Sequence, residues 1–108
     1  MARNKPSIAM TIRRFRNELE AMNIHCDKIL IFGSYAHNRA SEGSDIDLVV
    51  ISDDWKTYST RERLEILGVA AARILAPVQA VGFTAQEIKN KTMLPFWQDI
   101  VEHARKAA

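Results

Sequence analysis

The sequence predicts an α+β domain: a small mixed sheet of three or four strands with helices packed mainly on one face. Three observations predict it. Apolar residues recur at helical spacing in three separated segments, near 7–22, 59–75 and 95–104. Between and around them lie three short apolar runs of strand length, at 29–32, 45–51 and 78–83. The whole chain is 108 residues, enough for one core and too few for a separate substrate domain, so residues 1–108 read as a single domain.

Taken in order, the elements justify that frame. Ser7 to Met22 is the first predicted helix, with Ile8, Ile12, Phe15, Leu19 and Met22 on one stripe. Arg13, Arg14 and Arg16 fall largely off the stripe and read as a solvated face, because no aromatic residues interleave with them as a strand-binding groove requires. Ile29 to Phe32 is the first strand. Gly33 and Ser34 end it and open a short polar segment, Tyr35 to Ser44, which includes a short helix. Asp45 to Ile51 is the second strand, followed by Asp53 as a turn former and Trp55 as a lid over the sheet edge.

Ser59 and Glu62 form a capping box that starts the second long helix, whose apolar face is Leu64, Leu67, Ala71, Ile74 and Leu75; Pro77 lies beyond its end. Val78 to Phe83 is the third strand. Thr84 and Glu87 give another capping box, opening a short helix to about Asn90. Pro95 suits the first position of a last helix, which docks through Phe96, Trp97, Ile100, Val101 and Ala104, with the Phe96-Trp97 pair read as core.

Composition excludes several classes. The 47% hydrophobic content is ordinary for a globular chain, and no apolar stretch is long enough to cross a membrane. The leading MARNKPS carries charge with no apolar core behind it, which argues against a secretory signal. A lone cysteine, Cys26, excludes an internal disulfide and fits a reducing cytoplasm. The net charge of +2 permits nucleic-acid contact without requiring it. His25, His37 and His103 are scattered over three elements without ligand spacing, so no zinc site is expected. There is no nucleophile elbow and no Walker phosphate loop.

The chemistry concentrates in KILIFGSYAHNRASEGSDIDLVVIS, Lys28 to Ser52. Side chains two apart on a strand share a face, so Asp45 and Asp47 point the same way while Ile46 and Leu48 point into the opposite layer. Their Cα atoms then lie roughly 7 Å apart, within reach of a common divalent cation. Two like charges beside a buried strand are costly unless something positive sits between them, and Mg²⁺ serves. Gly33 and Ser34 supply the complement, because the exposed N–H groups of the turn they open form an anion site suited to phosphate.

GSYAHNRASEGSDIDLVV resembles the signature of the polymerase-beta-type nucleotidyltransferases, a Gly-Ser followed by Asp-x-Asp. The short chain resembles the minimal nucleotidyltransferase branch, whose members are often antitoxins. This resemblance implies the nucleotidyltransferase fold, ATP as substrate and Mg²⁺ or Mn²⁺ held by Asp45 and Asp47, with Gly33 and Ser34 holding the β- and γ-phosphates. It implies transfer of AMP to an acceptor hydroxyl; some such proteins modify a tyrosine on an all-helical HEPN toxin partner. Two departures stand out. Family members often carry Arg-Gly where this chain has His37-Asn38. The third acid expected on the strand Val78 to Phe83 is represented by Gln79, which offers a carbonyl oxygen but cannot take a proton. Two functions stay open on these residues: an active nucleotidyltransferase, and a catalytically impaired, nucleotide-binding antitoxin or partner-binding module. Acceptor, base preference and oligomeric state are not legible.

Overall fold

The computed structural model describes residues 7–33 and 45–108. Ser34 and the polar segment Tyr35 to Ser44, with its expected short helix and His37, Asn38 and Arg39, lie outside the described residues. The described chain runs α1 (Ile8–Ala21), β1 (Lys28–Phe32), β2 (Ile46–Ile51), a 3₁₀ turn (Asp53–Thr57), α2 (Thr60–Arg73), β3 (Val78–Phe83), α3 (Ala85–Asn90), α4 (Pro95–His103) and β4 (Arg105–Lys106).

Four strands form one mixed sheet in the order β3-β2-β1-β4. β1 pairs antiparallel with β2 and with β4, whereas β2 and β3 run parallel. The parallel pair is possible because α2 carries the chain back across the sheet between them. Ile29 and Ile31 of β1, with Ile46, Leu48 and Val50 of β2, point into the larger core and meet Ile12, Phe15 and Leu19 of α1 and Leu67, Ala70 and Ala71 of α2. The two long helices thus share one face. Alternate residues Leu30, Val49 and Ile51 point to the other face, where the short helices α3 and α4 contribute Ile88 and Val101 to a smaller cluster.

The helix starts follow the sequence signals. Ser7 caps α1 by accepting from the Met10 N–H. Ser59 with Glu62 and Thr84 with Glu87 both close reciprocal capping boxes. Glu87 does more than cap. Its carboxylate takes two bonds from the guanidinium of the buried Arg63, at 2.8 and 3.1 Å, and Arg63 also donates to the Gly82 and Tyr58 carbonyls. One arginine therefore ties α2, β3 and α3 together. Hydrogen bonding from Arg63 holds the Glu87 carboxyl below its ordinary value of 4.5. A depressed carboxyl stabilises the fold above that ordinary value and loses the contribution as pH falls through the lowered one. Glu87→Gln is expected to flatten the fall in stability below about pH 4.5, read by urea unfolding across pH.

Four expectations are corrected. Trp55 is no lid on the sheet edge: it is fully buried in the larger core, and its Nε1–H donates to the Val50 carbonyl at 3.1 Å. Gly82 makes this possible, since a Cβ there would stand 2.6 Å from the indole. Leu75 is not on the apolar face of α2; the helix ends at Arg73, Ile74 takes the last inward place, and Leu75 turns left-handed (φ 53°) with 92% exposure. Leu64 is likewise half exposed. Phe96 is not core. Trp97 takes the inward position against Phe32 and Phe83, and Phe96 packs edge-on against its outer side at 64% exposure.

Candidate functional site

The register of three strands builds the site. β1 ends with Phe32 opposite Asp47, and Asp47 in turn lies opposite Gln79 on β3. Strand parity puts the side chains of Asp47 and Gln79 on the face where Val49, Val81 and Phe83 also point. Asp45 sits just before β2 rather than in it, and the Gln79 Nε2–H donates to its Oδ2 at 2.8 Å. Asp45, Asp47 and Gln79 therefore meet at one end of this face. Among the described residues no cation pairs with either acid.

Gly33 is the fourth member. Its φ of +73° belongs to the left-handed region, which a residue with a Cβ adopts only at a cost. A Cβ on Gly33 would also collide with Asp47 Oδ2. The turn after β1 and the second acid are thus built against each other. Burial first, and the neighbouring Asp45 second, push the Asp47 carboxyl above its ordinary range. A carboxylate so placed favours a nearby positive charge. Two carboxylates and a carboxamide oxygen on one face make an oxygen-only donor set, which fits a hard divalent cation such as Mg²⁺ or Mn²⁺ and does not suit zinc. Gly33→Ala is expected to cost about 1–2 kcal/mol in unfolding free energy through backbone strain. It also displaces Asp47, so divalent-cation affinity is expected to fall with it; full affinity in a folded Gly33→Ala protein would contradict the pairing.

A cavity of about 520 Å³ opens beside the acids. Phe32, Asp47, Gln79 and Trp97 line one side of it, and it reaches past β3 to Leu64 and Gly68 on α2. Phe32 and Trp97 meet edge-on at 5.9 Å and form an aromatic wall next to Asp47.

The remaining candidates lie elsewhere. Asp53 begins the 3₁₀ turn at the opposite end of β2. The His25 ring bonds Asp54 at 3.0 Å, and the His103 ring sits 3.4 Å from Asp99. Asp99, Glu102 and His103 form an exposed cluster on α4. Cys26 is buried, and burial pushes its thiol up to about 11, which leaves it unreactive. Trp97 was missed as a wall of the site, and Arg63 as the tie at the far end of β3. Helical spacing marked Trp97 only as core, and nothing local links Arg63 to Glu87 across 24 positions.

A mixed sheet with a glycine turn on one strand and two acids opening the next is the architecture of a nucleotidyltransferase. The chain belongs to that family: the nucleotidyltransferase domain matches residues 12–105. Two solved structures share the fold. One is a protein from Sulfolobus solfataricus described as a nucleotidyltransferase, 22% identical over 83% of this chain and 84% of that one, with a TM-score of 0.53. The other is a toxin–antitoxin structure with AMP-PNP, 20% identical over 94% of this chain and 73% of that one, with a TM-score of 0.62. No curated protein matches significantly.

Proposed function

We propose that this chain is a one-domain, divalent-metal-dependent nucleotidyltransferase of the minimal type, which binds ATP and passes AMP to an acceptor hydroxyl. The observation that carries the reading is the seating of Asp47 against Gly33, with Asp45 beside it on the same face. Asp45 and Asp47 would hold Mg²⁺ or Mn²⁺, and Gly33 with Ser34 would present backbone N–H groups to the β- and γ-phosphates. The bound metal supplies neutralisation of phosphate charge and alignment of the reacting oxygens. In the transfer, the acceptor oxygen bonds to the α-phosphorus, the bond from that phosphorus to the bridging oxygen breaks, and pyrophosphate leaves. The acceptor proton must go to a base. Gln79 occupies the position beside Asp47 from which a carboxylate would take it, and a carboxamide cannot.

A second reading follows from that residue. The Gln79 amide donates to Asp45, so the pair is held together without a third negative charge. A protein so built retains MgATP and transfers slowly or not at all, acting as a nucleotide-bound antitoxin on a partner protein. The toxin–antitoxin neighbour, whose structure contains AMP-PNP, supports a role with a toxin, and an all-helical HEPN toxin is the partner type the sequence suggests. The reducing cytoplasm is the compartment that fits.

One experiment separates the readings. Wild type and Gln79→Glu are incubated with labelled ATP, Mg²⁺ or Mn²⁺ and the protein encoded next to this one, and added AMP is read by mass. Transfer by the wild type supports the enzyme. Transfer gained only in Gln79→Glu, by about 10²-fold or more as expected for a restored general base, supports the impaired antitoxin. Equal transfer by both would place the base elsewhere, and equal inactivity would leave binding as the function.

A further inference from the structure

β3 is an edge strand, and among the described residues no strand pairs with its outer side. In the parallel pairing with β2, the main chains of Gln79, Val81 and Phe83 bond inward; the Ser52 N–H, for example, donates to the Phe83 carbonyl. The main chains of Val78, Ala80 and Gly82 therefore face outward. The Val78 N–H is taken by the Ala76 carbonyl, and the Gly82 carbonyl accepts from Arg63. Left over among the described residues are the C=O of Val78 and the N–H and C=O of Ala80, on half-buried residues, with the N–H of the buried Gly82 behind them. Unpaired strand edges of this kind are usually covered or blocked. Here Arg63 blocks one end and the middle stays free.

A groove follows that free edge. The 520 Å³ cavity at Asp47 and Gln79 continues into a second, of about 370 Å³, that ends at Arg63 and Glu87; both are bordered by Leu64, Val81 and Trp97. α2 forms one wall. The turn before α4, with the 69% exposed Leu94, forms the other. Gly68 stands on the α2 wall, and a Cβ there would meet nothing within 4 Å. A helix-interior glycine costs roughly 0.5–1 kcal/mol relative to alanine, and no neighbour within the described residues requires it.

We infer that the open edge of β3 binds an extended polypeptide segment of a partner protein as a fifth strand, presenting a side-chain hydroxyl at Asp45, Asp47 and Gln79. The inference rests on the nucleotidyltransferase reading for what happens at that end; strand addition itself rests on the edge and the groove. A main chain in extended form supplies both an acceptor for the Ala80 N–H and donors for the Ala80 and Val78 carbonyls at strand spacing, with alternate side chains entering the groove. Gly33, Asp47 and Gln79 follow one another across β1, β2 and β3. The groove therefore approaches the acids from the side opposite the phosphate turn, where an acceptor belongs. A second copy pairing edge to edge is the competing occupant, and the dimer arm of the test separates it.

Two variants test it. Ala80→Pro removes one outward N–H and no ladder bond, a change an edge strand tolerates. Gly68→Leu fills open space on a helix face with a good helix former. Random linear peptides displayed on phage are panned on the full chain, and retained peptides are synthesised and titrated into ¹⁵N-labelled wild type and both variants, each also titrated with MgATP. The expected result is retained peptides that move the Ala80 and Gly82 amide signals and lose at least tenfold in affinity to each variant, with MgATP affinity unchanged. No retained peptide, equal binding by both folded variants, or shifts centred elsewhere overturns the proposal. So does a concentration-dependent dimer that Ala80→Pro abolishes, which assigns the edge to a second copy. Peptide binding by a wild type that fails to bind MgATP keeps strand addition and refutes only the nucleotide reading.

Discussion

Asp45→Asn combined with Asp47→Asn is expected to lower Mg²⁺-dependent ATP affinity by about 100-fold, equivalent to about 2.7 kcal/mol, while the protein stays folded. The two carboxylates are the only acids among the described residues at this end of the sheet face, and a neutral amide oxygen is a much weaker ligand for a hard cation. The fold does not need their charge. Burial and the neighbouring Asp45 already push the Asp47 carboxyl toward its neutral form, so amides relieve an unfavourable pair. After Asp45→Asn, the new side-chain carbonyl can still accept from the Gln79 amide that bonds Asp45 in the wild type. Thermal unfolding without metal is therefore expected at the wild-type temperature or slightly above. Calorimetric titration checks the first part, and unchanged ATP affinity and metal dependence in the double variant would remove both acids from the site.

Trp55→Ala is expected to cost about 4 kcal/mol of unfolding free energy, a shift of roughly 20 °C in a chain of this size. The indole is fully buried between the sheet and the helices, and its truncation leaves a large void. Its N–H bond to the Val50 carbonyl goes as well. The clash geometry allows a sharper check. Gly82→Ala alone places a Cβ against the indole and should cost about 1–3 kcal/mol, but in the Trp55→Ala background that cost should largely vanish. Additive costs in the double variant, measured by urea unfolding, would contradict the packing described.

The contrast between these two regions shows what was legible in the chain. Capping boxes at Ser59 and Thr84 and the Pro95 start are local chemistry, and the helices begin where those residues place them. Strand parity left Gln79 one of two faces, and only the register between β2 and β3, which pairs it with Asp47, places the two on a common one. The position of Trp55 was not legible: it depends on Gly82, 27 residues away, whose missing side chain makes room for the indole. Nor was β4. Arg105 and Lys106 carry no apolar pattern, and their strand exists only through pairing with Leu30 and Ile31. Leu75 and Phe96 were misplaced for one reason. Periodicity continues through a helix end, whereas the inward positions there had already gone to Ile74 and Trp97.

The proposed function requires that a divalent cation and a nucleotide bind where β1, β2 and β3 bring Gly33, Asp45, Asp47 and Gln79 together. Paramagnetic broadening by Mn²⁺ reads that location directly, because amide signals fade with proximity to the bound ion. In a ¹⁵N-labelled wild-type protein titrated with substoichiometric Mn²⁺ and ATP, the amides of Gly33, Asp45 to Asp47 and Gln79 are expected to broaden first. Loss of those signals should require the acids and disappear in the double asparagine variant. Broadening centred instead on Asp99, Glu102 and His103, the exposed cluster on α4, would contradict it.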